Sequence, residues 1–283
     1  MNLIRQPVAQ HFYSGDCQSK LDKFLTGFQI PPDLPERLVG AVVPHAGWQY
    51  SGEVAAKTLF CLAQHSQPES CIIFGADHTG VGQNSLYPEG KWETPLGPVD
   101  IDEEWTSVLL REIPDLITSN PEAHNVEHSI EVLVPMVKYL WPDITIVPVI
   151  APPGDNSIRL GVEMGKRANA IDRQTIFLAS TDLTHYGQVY GLNSAGSGNK
   201  GFDWIVKNDK RMLKCLTAVD GKAVLTEASL HMNACGSGAV AALMGVMVEL
   251  GHDTGYLIKY TTSHGQAPPA DFTTGVGYAG VVY

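Results

Sequence analysis

A chain of 283 residues with 44% hydrophobic and 17% charged residues can bury a substantial core and has the composition of a globular protein. Its formal charge of −11 argues against nucleic acid or an anionic membrane as partner, and no apolar run approaches the ~20 residues that cross a bilayer. Five cysteines (17, 61, 71, 215 and 235) with no close-paired spacing suit reduced thiols in a cytoplasmic protein better than a disulfide framework, and no apolar leader opens the chain.

Residues 1–37 carry Pro7, Pro31, Pro32 and Pro35 and read as an N-terminal arm with one short helix near Lys20–Phe28. Leu38–Pro44 is a run of small and β-branched apolar residues, the pattern of a strand buried on both faces, and it ends on His45. A helix is expected from about Ser51 to Gln64, with Ser51 as its N-cap. A second buried strand, 70–75, runs into Ala76-Asp77-His78. The stretch 85–101 is punctuated by glycine and proline and reads as a hairpin or loop arm. Helices are expected at about Asp102–Ile113 and Ser129–Leu140, the second kinked at Pro135. Ile144–Ile150 reads as a strand, Ser157–Ala170 as a helix, and Thr175–Ser180 as a strand that leads to Asp182 and His185. Helices near Phe202–Leu216 and Gly221–Glu227 follow a surface loop at Gly191–Gly201. Then come Cys235-Gly236-Ser237-Gly238 and an apolar helix, Ala239–Leu250; strands at Tyr256–Thr262 and Gly275–Val282 close the chain. The alternation predicts one doubly wound α/β domain over 1–283, with the arm packed on it.

Open α/β sheets place ligands beyond the carboxyl ends of their strands, and three strands here deliver a histidine to that edge. Imidazole suits zinc, iron, copper or nickel, so His45 and His78 form a metal nucleus; the plain alternative is a histidine that caps a strand end through hydrogen bonds. Cys235 precedes a helix start, where a thiol pKa is lowered, which makes it a third ligand or a nucleophile. The other fate of a free cysteine is a small buried apolar side chain, and Cys17, Cys61, Cys71 and Cys215 fit it. His124, Glu127, His128 and Glu131 are spaced to share one face of the expected helix, either as a solvated first turn or turned inward to the site. Asp182 three residues before His185 reads as an acid that orients and charges a general acid/base, or as a turn stapled by its own side chains. No glycine-rich dinucleotide loop or Walker loop is present, so nucleotide binding is disfavoured. His11, His65, His231, His252 and His264 lack supporting neighbours and read as surface or structural.

Taken together and in order, Arg5, Phe12-Tyr13-Ser14-Gly15-Asp16, Pro44-His45-Ala46-Gly47-Trp48-Gln49-Tyr50-Ser51-Gly52, Gly75-Ala76-Asp77-His78, Thr94-Pro95-Leu96-Gly97, Glu127-His128-Ser129-Ile130-Glu131, Ser180-Thr181-Asp182-Leu183-Thr184-His185-Tyr186-Gly187 and Cys235-Gly236 resemble the motif set of the Memo-like family, the protein B type of the AmmeMemoRadiSam system. The resemblance covers essentially the whole chain, and the set is specific although no single motif is. That family is similar in fold to the class III extradiol dioxygenases of the LigB type, which are non-haem ferrous proteins. The resemblance implies a single three-layer domain whose central, mostly parallel or mixed sheet is flanked by helices. It implies His45, His78 and Cys235 as metal ligands, for Fe(II) first and copper or zinc otherwise. His185 falls at the acid/base position, with Asp182 beside it and His128 as a second catalytic or substrate-contacting histidine. Trp48, Tyr50, Asp77 and Glu131 are expected around the substrate or behind the ligands. The chain departs from the dioxygenases at Cys235, where they carry a carboxylate; a thiolate is softer and more oxidisable, which argues against ring cleavage.

Three functions follow from these readings. The first is a metal-dependent, dioxygenase-like oxidoreductase acting on a small molecule. The second is a non-catalytic binding or scaffold protein that takes a peptide or protein in the same cleft; animal Memo-like proteins are associated with receptor signalling and motility. The third is a metal-free thiol enzyme with Cys235 as nucleophile. The resemblance also implies AMMECR-type and radical-SAM proteins as pathway partners, while the net charge and the lack of a long apolar run argue against nucleic acid and membrane.

Overall fold

A computed structural model describes residues 4–171, 173–265 and 271–283, so residues 1–3 of the N-terminal arm lie outside the described residues. The arm opens with a two-residue strand, β1 (Ile4–Arg5), and a helix, α1 (Cys17–Leu25), whose N-cap Asp16 accepts a hydrogen bond from the Ser19 N–H. The first apolar run forms β2 (Gly40–Val43), followed by α2 (Glu53–Gln64) and β3 (Ser70–Gly75). Short strands β4 (Ser85–Leu86), β5 (Lys91–Trp92) and β6 (Val99–Asp100) precede α3 (Glu103–Glu112), capped by Asp102. After β7 (Thr118–Ser119) come α4 (Pro121–His124), α5 (Val134–Leu140), β8 (Thr145–Ile150) and α6 (Asp155–Ala168). The chain continues through β9 (Thr175–Ser180), β10 (His185–Tyr186), α7 (Asn199–Thr217), α8 (Gly221–His231), α9 (Ser237–Glu249), β11 (Tyr256–Thr262) and β12 (Gly275–Val282).

The strands build a central mixed sheet in the order β10-β12-β2-β9-β3-β8-β4-β7, with β11 added on β12; β1, β5 and β6 form a small second sheet. β2, β9, β3 and β8 run parallel, and their residues are buried on both faces. Alternation along these strands sends Val42, Ile72, Phe74, Val147 and Phe177 to a core shared with α3, α6, α7 and α9. Ala41, Val43, Ile73, Ile146 and Leu178 face the opposite core with α1, α2 and α5. A mixed sheet between two helical layers is therefore the architecture. On one side α6 and α9 touch backbone to backbone, because a Cβ at Gly161 would lie 1.8 Å from the Ala242 carbonyl oxygen.

Two local expectations are corrected. Ser51 does not cap α2: the chain first makes a wide π-helical turn over Trp48–Gly52, and the Ser51 hydroxyl donates back to the Ala46 carbonyl at 3.0 Å. The expected helix over 129–140 begins only at Val134. Pro135, with no N–H to give, sits in its first turn rather than at a kink. Ahead of it, residues 125–133 run as turns, because the Glu127 carboxylate takes the N–H groups of His128 and Ser129. His124, Glu127, His128 and Glu131 therefore do not share one helix face.

Glu131 instead anchors the N-terminal arm. Its carboxylate accepts from the Ala9 N–H at 2.8 Å and the Tyr13 hydroxyl at 2.6 Å, and pairs with the Arg5 guanidinium at 2.8 Å. Arg5 also donates to the carbonyls of His124 and Glu127 and lies 4.1 Å over the Trp92 ring. Both side chains are sealed from water. Removing one charge leaves the other buried and unpaired, which costs about 3–5 kcal/mol. Glu131→Gln should therefore lower stability by that order in urea unfolding. An unchanged midpoint would show that the arm is not held through this pair.

Candidate metal and substrate site

Because β2, β9 and β3 are parallel neighbours, their carboxyl ends share one edge, and the residues that follow them meet there. Val43 pairs with Ser180, so His45, two residues on, falls beside Ser180 and Asp182. The His45 ring is held at Nδ1 by the Ser180 hydroxyl at 2.8 Å. That hydroxyl donates its own proton to the Ser129 carbonyl at 2.7 Å, so it must accept from an Nδ1–H, which turns Nε2 of His45 toward Cys235. His78 is treated the same way by a carboxylate: its Nδ1 lies 3.0 Å from Glu127 Oε1, again directing Nε2 away. A second hydrogen bond that fixes the tautomer of a histidine is the usual support of a metal ligand.

His128 arrives on the turn between α4 and α5. That turn presses onto the end of β3 because Gly75 has no side chain; a Cβ there would lie 2.5 Å from Ile130. The His128 ring stacks on His78 at 4.8 Å between centroids and on Phe12 of the arm at 4.9 Å. The ligand nitrogens of His45, His78 and His128 all lie within 4.8 Å of one another.

Cys235 stands just ahead of α9, where Gly236 lets the chain come against β9; a Cβ at that glycine would lie 2.1 Å from the Ser180 carbonyl oxygen. Its Sγ lies 3.3 Å from His45 Nε2 and accepts from the Asp182 N–H at 3.3 Å. Ligands at 2.0–2.1 and 2.3 Å from one ion stand about 3.1–3.6 Å apart, so the His45–Cys235 separation fits a shared cation. The expected His45, His78 and Cys235 thus come together, and His128 joins them as a third imidazole.

The charges are mutually arranged. Burial alone would push the Cys235 thiol up, but the imidazoles of His45 and His78 against it hold it down at about 5. His78 is carried the other way: burial lowers it, yet Cys235 and Glu127 raise it to about 10. His128, buried and facing His45, is held down at about 4 and so is neutral. A cation bound here would take over the charge now supplied by the imidazolium protons, and binding would release them.

Beside this cluster, Asp182 Oδ1 accepts the backbone N–H groups of His45 and Ala46, at 2.9 and 3.2 Å. Its Oδ2 lies 3.8 Å from His185 Nε2, and despite burial the histidine is raised by that carboxylate. The pair faces a cavity of about 590 Å³, also lined by Phe12, Tyr50, Tyr190, His264 and Tyr278. His264, read from sequence as surface or structural, is therefore part of the wall.

Three other expected residues sit elsewhere. Trp48 is buried under Tyr13 and Phe24 and donates its indole N–H to the Val132 carbonyl. Asp77 folds onto its own loop, accepting from the Val81 and Gly82 N–H groups. Glu131 is engaged by the arm. The chain's period-2 pattern over 275–282 held the signal for Tyr278, since it puts that residue on the same face as Val276. Phe12, Tyr190 and His264 had no local signal, because only the folded chain brings them to the edge.

A family model described as Memo-like protein matches residues 5–282. A MEMO1 family protein of Methanopyrus kandleri is 34% identical, with 98% of this chain and 97% of that protein covered. Another from Thermococcus onnurineus is 33% identical over 99% of both chains. Among solved structures, that of an uncharacterised protein of Escherichia coli K12 superposes with a TM-score of 0.55 at 12% identity; it covers 87% of this chain and 99% of the other. The last likeness speaks to the fold alone.

His124 gives a pH test of this arrangement. It lies outside the cluster, with no exposed surface, and its Nε2–H donates to the Ser85 carbonyl at 3.2 Å. Burial, with Arg5 beside it, holds its imidazole down at about 3 against an ordinary 6.5. Below pH 6.5 the unfolded chain therefore takes up a proton that the folded chain refuses. This contribution to stability is complete above that value and falls as pH drops toward 3. The His124 ring signals should stay flat in NMR spectra from pH 7 to 4.5; a midpoint near 6 would place the ring in water.

Proposed function

The chain belongs to the Memo-like protein family, and from that premise we propose that its histidine-lined cavity is a metal-dependent redox centre acting on a small molecule. The observation that carries the reading is the convergence of the Nε2 atoms of His45 and His78 on the Cys235 thiol, with the neutral His128 ring beside them. Three imidazoles and a thiolate suit a borderline or soft ion, so iron(II) is expected first and copper or zinc after it. When bound, a reducible ion supplies one-electron exchange with the small molecule or with dioxygen. Cys235 in place of a carboxylate separates this centre from ring-cleaving dioxygenases.

The protein groups do the rest. Ser180 and Glu127 hold the two rings in one tautomer and one orientation, so no reorganisation is needed when a ligand arrives. Asp182 raises the proton affinity of His185, which burial alone would lower, beside the cavity, where that imidazole can give a proton to an oxygen of the bound molecule and take it back. Phe12 covers His128 and keeps water from that side of the cluster.

A metal-free reading keeps one specific support, the 3.3 Å contact between Cys235 Sγ and His45 Nε2, which is the geometry of a thiolate–imidazolium nucleophile. Elemental analysis separates the two. Untagged protein prepared without oxygen should hold about one iron or copper per chain, and the His45→Ala/His78→Ala double variant should hold none. Metal-free, folded wild type that is alkylated at Cys235 by iodoacetamide would replace the first reading with the second.

The orienting role of Ser180 has its own test. Ser180→Ala leaves all four donor groups in place but takes the partner from His45 Nδ1. Metal affinity should fall about 10- to 100-fold. Unchanged affinity would mean that the ring needs no such support.

A further inference from the structure

The short segment that carries His185 is stitched to β12 through its neighbours. Leu183 donates its N–H to the Gly277 carbonyl at 2.9 Å, and Gly277 returns its own N–H to the Thr184 carbonyl at 3.0 Å. The next donor, the Thr184 N–H, is taken instead by a side chain: Oδ1 of Asp209, on α7, accepts it at 2.9 Å. Oδ2 of the same carboxylate accepts the Tyr260 hydroxyl of β11 at 2.8 Å. The Thr184 hydroxyl accepts from the Asn208 amide at 3.0 Å, which leaves its proton for Asp209 as well. The carboxylate fits here because Gly277 lacks a side chain; a Cβ there would lie 1.9 Å from Oδ2.

Asp209 is sealed from water, and the donors that meet it are neutral. An amide oxygen could accept the same bonds without the cost of a buried charge, so the charge itself calls for a reason. The positive group that favours it is the His185 imidazolium. Burial pushes the Asp209 carboxyl up to about 6, against the donors from Thr184 and Tyr260. His185 exchanges its proton higher: burial would lower it, but Asp182 and Cys235 raise it above the ordinary 6.5, with His45 opposing them. Asp209 is therefore ionised where His185 titrates. Around the imidazole, Asp182 stands 3.8 Å from Nε2 and the Tyr190 ring packs at 5.1 Å. Asp209 adds a second carboxylate behind the peptide that bears the ring.

We propose that Asp209 is the positioning residue of the acid/base: it fixes the backbone from which His185 borders the cavity and places a second negative charge behind the imidazolium. The inference rests on His185 being the proton-moving group of the function proposed above, and it gives a role to a residue that does not itself line the cavity.

Two substitutions test it. Asp209→Asn keeps the size of the side chain and an oxygen for the Thr184 N–H but removes the charge. Tyr260→Phe keeps the carboxylate and removes one of the donors that stabilise its ionised form. The readout is the pH profile of His185 modification by diethyl pyrocarbonate, which attacks neutral imidazole, followed on the His185 peptide by mass spectrometry. Metal content is measured on the same samples. With a negative charge gone, the imidazolium gives up its proton more readily, so the midpoint should move to lower pH in Asp209→Asn. It should move the same way, by less, in Tyr260→Phe, and both variants should hold as much metal as wild type. A profile of Asp209→Asn that coincides with wild type, a move to higher pH, or loss of metal from that variant alone would each overturn the proposal. Should Asp209→Asn fail to fold, an unmoved profile in Tyr260→Phe overturns it equally. Metal-free wild type with the shift in place would remove the metal reading alone. Metal-loaded wild type without the shift would remove this inference alone.

Discussion

One buried carboxylate carries the site. Glu127 accepts the backbone N–H groups of His78, His128 and Ser129 and the ring Nδ1–H of His78, all at 2.9–3.0 Å. Although burial works against its charge, these donors hold it down at about 2, so it is ionised wherever the protein is folded. Its backbone carbonyl meanwhile receives Arg5. A single residue thus fixes where the β3 exit loop ends, how the turn before α5 begins, and which nitrogen of His78 is free. A shorter acid or an amide at that position could satisfy some of these donors but not the full set.

The second constraint is closeness. Gly75 and Gly236 stand where strand ends must accept another segment at backbone distance, and a methyl group at either would collide with it. The first admits the turn that bears His128; the second admits Cys235 to the edge of β9. The long apolar strands supply the rigid frame, and these two absences of a side chain let polar groups gather on it without strain at their own positions.

Much of the fold was legible because burial on both faces leaves a plain mark. The runs at 40–43, 71–75, 146–150 and 176–179 carry only apolar side chains and glycine, and 256–262 and 275–282 end in the structure where their patterns end. The edge of the sheet that gathers polar groups was legible for the same reason, since each histidine follows such a run. What the local pattern hid was long-range. Residues 125–133 carry helical spacing, but His128 and Ser129 spend their backbone donors on the Glu127 side chain. Trp48, Asp77 and Glu131 lie within site-bearing motifs yet serve packing, a loop and the arm. His128 joins the imidazole cluster through a turn, not a helix face, and His264 and Tyr278 reach the cavity from the far end of the chain.

Phe12 and Tyr278 border one cavity although they lie 266 positions apart in the sequence, and Arg5 is tied to Glu131 across 126. Contacts between such distant positions close late, because each must overcome the entropy of a long loop. During synthesis the arm emerges first and has nothing to dock against until Glu131 has followed, while the opposite wall waits for the last strand. The cavity is therefore walled only once β12 has followed, and a chain lacking that strand presents its thiol and imidazoles without this side of the enclosure.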